Sequence, residues 1–117
     1  MRRRIPAEIA DEIACLGGPG GISKGLPPRR TLEKVATRHG VLSDRVRLQL
    51  LLALGNGKLC VCVLKRVVSC PDTRLSYHLD ILKRAGLIGS ERDRSYLRYF
   101  LTAKGRAVAH AVRKESA

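Results

Sequence analysis

The sequence predicts a mainly α-helical fold of the α+β class, with one hairpin of two strands near the carboxyl end. Three observations support this prediction. Apolar residues recur every three or four positions through most of the 117-residue chain, which is the spacing of amphipathic helices. The spacing changes to alternation between residues 87 and 101, as in strands. Clusters of Gly, Pro, Asn and Asp separate these segments and indicate turns.

The first thirty residues are predicted to form one helix and a connector. An amphipathic helix is expected over residues 6–16, because Pro6 suits a first helical turn and apolar residues follow at helical spacing. These residues are Ile5, Ile9, Ile13 and Leu16. Glycines at 17, 18, 20 and 21 end the helix, and residues 17–30 are predicted to be a flexible connector that closes with Pro27-Pro28.

Two helices and a short strand are expected next. The first helix covers residues 31–39, and Ser43 or Asp44 is the expected N-cap of the second. Gly55-Asn56-Gly57 ends the second helix. Residues 59–64 are predicted to be a short strand that passes into a short helix.

A polar turn at residues 69–72 leads into a longer helix, Thr73–Ala85. Ser69 or Asp72 is its expected N-cap, and Gly86 is its expected C′ glycine. One face of this helix is predicted to point into the core. That face consists of Leu75, Leu79 and Leu82.

Two strands around a polar turn at residues 92–94 follow, and Thr102 is the expected cap of a final helix. The order of short helix, turn, longer helix and hairpin is that of a winged helix-turn-helix with a two-stranded wing. We therefore expect a single domain over residues 1–117. Its expected parts are the N-terminal helix and connector (1–30), the core (31–102) and a C-terminal helix (103–117).

The charge of the chain favours a polyanionic partner. The formal net charge is +13, so nucleic acid is the first candidate and an anionic membrane surface the second. Only 3% of the residues are aromatic, which argues against a single-strand binder built on aromatic stacking. The apolar runs at 50–54 and 59–64 are too short to span a membrane. We expect a cytoplasmic protein.

The helix Thr73–Ala85 and the hairpin supply the candidate contacts to double-stranded DNA. An exposed arginine can bond guanine in a bidentate manner, and hydroxyls can bond bases or phosphates. Arginines on a thin hairpin can reach a minor groove or the flanking phosphates. The alternatives are an ordinary surface helix and a solvated turn. The candidate residues are Thr73, Arg74, Ser76, Tyr77, Arg92, Arg94 and Arg98.

Cys60 and Cys62 share one face if their segment is extended. A helix N-terminus beside them would favour thiolates, which are soft ligands. A direct disulfide is not expected in such a segment, since same-face residues there stand about 6.5–7 Å apart. The alternatives are small buried hydrophobes and a thiol redox switch that pairs Cys15 with Cys60 or Cys62.

Four stretches resemble a known family of regulators. Residues 42–48 (LSDRVRL) and 58–64 (KLCVCVL) resemble that family's L-S-D-P-T-R-L opening and E-L-C-V-C-D-L metal box. Residues 76–79 (SYHL) and 82–88 (LKRAGLI) resemble its S-x-H-L and L-x-x-A-G-L-V recognition helix. The family is the ArsR/SmtB group of metal-responsive, winged-helix repressors.

The resemblance implies a homodimeric repressor on a near-palindromic operator, with the two terminal helices in dimerisation positions. It also implies that His78 lies near the DNA face; a histidine bonded inside the motif is the alternative. DNA binding itself requires no cofactor.

The resemblance further implies an inducer held by Cys60 and Cys62, either arsenite or antimonite on three sulfurs or a soft divalent metal such as cadmium. Lys65 stands where arsenic-sensing members have a third cysteine. Cys15, reaching a partner subunit, is the first candidate for the third sulfur, and Cys70 is the second.

Three classes of function compete with the inducible repressor. A redox-responsive or constitutive regulator would keep the fold without the metal. A general chromatin or RNA-binding protein would fit the charge alone. An enzyme is not expected. The glycine-rich segment at residues 17–21 contains Pro19 and lacks the lysine of a phosphate-binding loop.

Overall fold

The computed structural model describes residues 4–117, which form two compact units, residues 4–35 and residues 36–117. Residues 1–3, the start of the predicted N-terminal segment, lie outside the described residues. The helices are α1 (Ala7–Ala14), α2 (Gly18–Lys24), α3 (Arg29–Val41), α4 (Arg45–Ala53), α5 (Val61–Val68), α6 (Asp72–Arg84) and α7 (Ala103–Ser116), and the strands are β1 (Leu59–Cys60), β2 (Ile88–Asp93) and β3 (Tyr96–Leu101).

In the N-terminal unit, α1 confirms the predicted helix, but the prediction of a flexible connector over residues 17–30 is partly wrong. The connector contains α2, and α3 begins within it at Arg29. Gly17 has a φ of 87°, which turns the chain out of α1. Pro19 lies in the first turn of α2, where its missing N–H breaks no helical hydrogen bond.

The core of the second unit is built mainly from leucines of α4, α5 and α6. The three leucines predicted on one face of α6 are all buried. The largest fully buried side chains are Leu50, Leu51, Leu64, Leu75, Leu82 and Leu87. Burial of one such side chain contributes about 1.5–3 kcal/mol, so this cluster fixes α6 against α4 and α5.

Asp44, one of the two expected caps, is the N-cap of α4. Its carboxylate accepts hydrogen bonds from the amides of Val46 (2.8 Å) and Arg47 (3.2 Å). Ser43 instead donates to the carbonyl of Gly40 (2.7 Å).

The predicted caps of α6 are wrong. Pro71 occupies the N-cap position without a side-chain hydrogen bond, and its carbonyl accepts from the Leu75 amide at 2.9 Å. Asp72 is already helical, and its carboxylate pairs with Lys65 at 3.1 Å. Ser69 ends α5 in the left-handed region, with a φ of 39°.

Gly86 ends α6 as predicted. Its φ is 77°, and its amide bonds the Lys83 carbonyl at 3.0 Å. The next amide, that of Leu87, bonds the Leu82 carbonyl at 3.1 Å. These two bonds form a Schellman motif, which directs the chain from α6 into β2.

The sheet has three antiparallel strands in the order β1-β3-β2. β2 and β3 form the predicted two-stranded wing, to which the short strand predicted near residue 59 is added. β2 and β3 pair from Ile88↔Leu101 to Asp93↔Tyr96, so the turn consists of Arg94 and Ser95 and not of residues 92–94. The third strand is β1, which has only two residues and pairs with the outer edge of β3.

Thr102 caps α7 as predicted, because its Oγ1 accepts a hydrogen bond from the Gly105 amide at 3.0 Å. Gly105 is buried, and a Cβ there would overlap the carbonyl oxygen of Leu87. This close approach holds the start of α7 against the entry to the wing.

Candidate DNA-binding surface and cysteine pair

The outer face of α6 carries four of the predicted DNA contacts. Thr73, Arg74, Ser76 and Tyr77 are all exposed, while Leu75 between them is buried. Their placement follows from the helical repeat, because the leucine stripe fixes which face remains outside. Tyr77 is 60% exposed and therefore leaves a large ring in solvent.

A cleft of about 380 Å³ lies between the N-terminus of α4 and the outer face of α6. Sequence reasoning missed one of its cations, Arg45. The signal was its position directly after the Asp44 cap. The guanidinium of Arg45 donates to Gln49 Oε1 at 2.9 Å. The cleft is lined by Asp44, Arg45, Val46, Arg74, Tyr77 and His78. Two arginines at its edge make this face suited to a phosphate backbone.

His78 lies at the inner wall of this cleft and is only 5% exposed. Its Nε2 is 3.9 Å from the Asp44 carboxylate, and its ring packs edge-on to Tyr77 with centroids 5.4 Å apart. The structure therefore places His78 inside the motif. That was the alternative to a position on the DNA face.

The Asp44 carboxylate is held in its charged form. Partial burial raises the pKa of Asp44, but hydrogen bonds from the Arg47 and Val46 amides and the charges of His78 and Arg47 lower it by more. The net pKa lies below the ordinary value of 3.8.

The wing carries three exposed arginines, and two acidic residues beside them form ion pairs with basic side chains. Arg92, Arg94 and Arg98 are exposed. Glu91 pairs with Lys58 at 2.7 Å, and Asp93 lies 3.7 Å from Arg98. The acidic residues therefore cancel less of the charge of Arg92 and Arg94 than the sequence alone suggested.

Side chains tie the wing to the recognition helix. Lys83 near the end of α6 donates to the Ser90 hydroxyl of β2 at 2.7 Å. Burial, together with the charge of Asp80 on α6, raises the pKa of Tyr99 on β3. The outer face of α6 and the wing are thus parts of one connected structure.

Cys60 and Cys62 are joined by a disulfide, and the expectation that a direct bridge is unfavourable because their segment is extended is wrong. Cys60 is the last residue of β1 and is extended, with φ −77° and ψ 159°. Cys62, however, lies in the first turn of α5. The segment therefore bends between them, and the Cα atoms are 5.3 Å apart, within the range that a disulfide spans.

The two remaining cysteines are free thiols. Cys15 is exposed at the end of α1, and its Sγ lies 3.7 Å from the Asp11 carbonyl. Cys70 is half-buried against the core, beyond the end of α5 opposite to Cys62. Residues 4–117 contain no group of three His, Cys, Asp or Glu side chains that could hold a metal. A three-sulfur site is therefore not assembled within the described chain, which brings only two sulfurs together.

Comparisons with known proteins agree with this architecture. The family model described as bacterial regulatory protein, arsR family, matches residues 44–90. An HTH-type transcriptional regulator of Methanocaldococcus jannaschii, MJ1325, is 33% identical over 70 residues, which cover 59% of this chain and 79% of the relative. The arsenical resistance operon repressor of Bacillus subtilis is 37% identical over 71 residues, covering 60% of this chain and 68% of the relative.

Among solved structures, a homodimeric winged helix-turn-helix DNA-binding domain from Mycobacterium bovis, Mb0332, superposes with a TM-score of 0.64. It is 26% identical, and the match covers 79% of this chain and 87% of that one. The fold and these similarities define a winged-helix DNA-binding transcriptional regulator. The chain belongs to the ArsR family of these regulators. No helix of residues 4–117 is long and apolar enough to cross a membrane.

Proposed function

We propose that this regulator is a homodimeric, cytoplasmic repressor that leaves a near-palindromic operator when a thiophilic inducer binds its cysteines. The observation that carries the proposal is the position of Cys60 and Cys62 at the junction of β1 and α5. β1 extends the wing, and α5 is the first helix of the helix-turn-helix. A ligand at this junction therefore acts on both DNA-binding parts.

For DNA, we propose that α6 enters a major groove while the wing follows the adjacent backbone. Arg74 reads a guanine, Thr73, Ser76 and Tyr77 contact bases or phosphates, and Arg92, Arg94 and Arg98 serve the wing. To these we add Arg45, which shares the cleft with Arg74. We assign His78 the role of holding α6 at the α4 cap and not a base contact.

The dimer is supported by the apolar surface of the N-terminal unit. Seven of the eleven large hydrophobic side chains that the described residues expose lie between positions 5 and 35. A concentration of exposed large apolar side chains in one unit favours an interaction site. A second copy is the occupant that the homodimeric neighbour suggests, and two half-sites increase affinity and specificity.

For the inducer, we propose arsenite or antimonite, with a soft divalent metal as the other candidate. Reduced Cys60 and Cys62 supply two soft sulfur ligands. Since Cys70 lies beyond the opposite end of α5, Cys15 of a second subunit is the better source of a third sulfur.

The test is release of DNA by arsenite after reduction of the protein with a phosphine. Fluorescence anisotropy follows a duplex taken from upstream of the coding region. We expect arsenite to release wild type and Cys70→Ser, but neither Cys60→Ser nor Cys62→Ser. A change of Cys15 to Ser should raise the arsenite concentration required. Equal release from wild type and the Cys60 and Cys62 variants would eliminate this pair as the sensor.

A further inference from the structure

The cysteine pair is joined to the wing through backbone pairing. Both residues of β1 pair with β3: Leu59 is opposite Tyr99, and Cys60 is opposite Arg98. One of the bridged cysteines is therefore the direct strand partner of a wing arginine. The other cysteine lies on α5, so the disulfide spans the corner between the sheet and the helix-turn-helix.

Lys58, immediately before β1, adds a second connection to the wing. Its Nζ lies 2.7 Å from the Glu91 carboxylate on β2 and 5.7 Å from the centroid of the Phe100 ring on β3. Residues 58–60 thus contact both long strands of the sheet. The orientation of the wing relative to α5 depends on the conformation of this short segment.

We propose that Cys60 and Cys62 are a reversible oxidation site, at which a peroxide forms the disulfide, fixes the wing for DNA binding and closes the pair to thiophilic inducers. The closure of the pair to thiophilic inducers rests on the proposed function. The formation of the disulfide and its effect on the wing rest on the disulfide and the β1–β3 pairing alone.

The reaction is a two-electron oxidation of two thiols by a hydroperoxide. The exposed Cys62 thiolate attacks one peroxide oxygen, the O–O bond breaks, and the departing oxygen leaves as an alcohol or water after taking a proton. The Cys60 thiolate then attacks the sulfur of the resulting sulfenic acid. The S–O bond breaks, water leaves, and the S–S bond forms. Two thiols and one hydroperoxide thus give one disulfide, one alcohol and one water, or one disulfide and two waters when the oxidant is hydrogen peroxide.

Only this pair is positioned for an internal bridge among the described cysteines of the second unit. Cys70 lies after α5, a helix of eight residues and therefore of about 12 Å. Cys70 is also half-buried against the core. Cys62 is exposed, so an oxidant reaches it from solvent.

The disulfide should increase DNA affinity by reducing the freedom of the wing. Groups that are already fixed before binding lose less conformational entropy when they bind. We therefore expect the oxidised protein to bind its operator about threefold to tenfold more tightly than the reduced protein.

The experiment uses the full chain with Cys15→Ser and Cys70→Ser, so that Cys60 and Cys62 are its only cysteines. Hydrogen peroxide gives the oxidised form, and a phosphine gives the reduced form. Alkylation with mass detection counts free thiols, and anisotropy measures DNA affinity. The probe for inducer access is phenylarsine oxide, whose arsenic takes two thiols and does not need Cys15. A variant with Cys62→Ser in the same background is the matched control.

We expect peroxide to remove both titratable thiols without crosslinking subunits, to strengthen DNA binding and to prevent release by phenylarsine oxide. The control should show none of these changes in DNA binding. Two outcomes overturn the proposal: thiols that remain titratable or form only intersubunit disulfides, and equal DNA affinity of the two forms.

An NMR readout separates wing coupling from a local effect. On oxidation, the amide signals of Arg98 and Tyr99 should shift, while those near the end of α7 should stay in place. Unshifted wing signals would refute the coupling. If phenylarsine oxide fails to release even the reduced protein, the inducer proposal fails, while the disulfide and its effect on DNA affinity are still judged by their own measurements.

Discussion

Arg74 is the side chain on which base recognition is expected to depend. It is exposed on the outer face of α6 beside Arg45 in the same cleft. Arg84 provides a comparison on the same helix. It lies at the opposite end of α6 and pairs with Asp80 at 3.0 Å.

We expect Arg74→Ala to weaken operator binding by about 1–3 kcal/mol and to relax specificity at one base position. Arg84→Ala, which removes the same charge from the same helix, should change the affinity much less. Anisotropy titrations with a panel of duplexes mutated at single positions measure both effects. Equal losses for the two variants would show that Arg74 acts only through its charge.

Asp44 links the stability of the helix-turn-helix to pH. Its pKa is lowered in the folded protein, so its stabilising contribution is complete above the unfolded value of about 3.8. The contribution is lost as the pH falls through the lower folded value. We expect Asp44→Ala to cost about 1 kcal/mol of unfolding free energy at neutral pH.

Asp44→Asn keeps a capping oxygen but cannot titrate, and it is the control for the pH effect. Urea unfolding of wild type and Asp44→Asn at pH 7 and pH 3 measures the difference. The stability advantage of wild type over Asp44→Asn should shrink at pH 3. An advantage that is constant with pH would contradict the role given to the Asp44 charge.

The contact between α7 and the wing entry requires a residue without a side chain at position 105, which is Gly105. A Cβ there would overlap the Leu87 carbonyl oxygen, so we expect Gly105→Ala to destabilise the fold by about 1–3 kcal/mol. Gly40 is the matched control, because a Cβ at this position in α3 meets no atom within 4 Å. Gly40→Ala should be neutral or slightly stabilising. Urea midpoints measure both, and equal stability of Gly105→Ala and wild type would contradict the packing described.

Elements with strong local signals were predictable from sequence. The leucine stripe of α6 predicted which face of the helix is buried. Gly86 predicted the end of α6, and Thr102 predicted the start of α7. α2 was missed because its glycines and proline are turn residues in isolation. β1 was not recognised as part of the sheet, since two residues carry no periodicity and its pairing with β3 is a tertiary contact.

The candidate site was predictable where it follows a helical repeat and not where it depends on one backbone conformation. The exposure of Thr73, Arg74 and Ser76 follows from the core stripe. The Cys60–Cys62 geometry depends on whether the chain bends between the two residues, which their spacing does not determine. The burial of His78 depends on its position beside the Asp44 cap of α4.

At the scale of the whole molecule, many of the acidic groups form ion pairs with basic side chains. In the second unit, five carboxylates each lie within 4 Å of a basic side chain, counting the buried histidine as one. Such exposed pairs add little stability. Arg74 of α6 and Arg92 and Arg94 of the wing take part in none of these five pairs, so they are available for phosphates.

This arrangement predicts a strong salt dependence of DNA binding. With about 6–10 phosphate contacts per dimer, the affinity should fall about 10³–10⁵-fold between 50 and 200 mM salt. Anisotropy titrations at several salt concentrations give the slope of log affinity against log salt concentration. The magnitude of this slope should decrease by about one for each phosphate-contacting wing arginine replaced by alanine. An affinity that hardly changes with salt would contradict the assignment of the basic surface to DNA.

The proposed function requires that this chain recognise a particular DNA sequence and not bind polyanions in general. A competition measurement distinguishes these two kinds of binding. The duplex from upstream of the coding region carries the fluorophore, and unlabelled specific and scrambled duplexes compete at one fixed salt concentration. The specific duplex should compete at least about 10³-fold better than the scrambled duplex. Equal competition by the two duplexes would show that the chain is a general binder of polyanions.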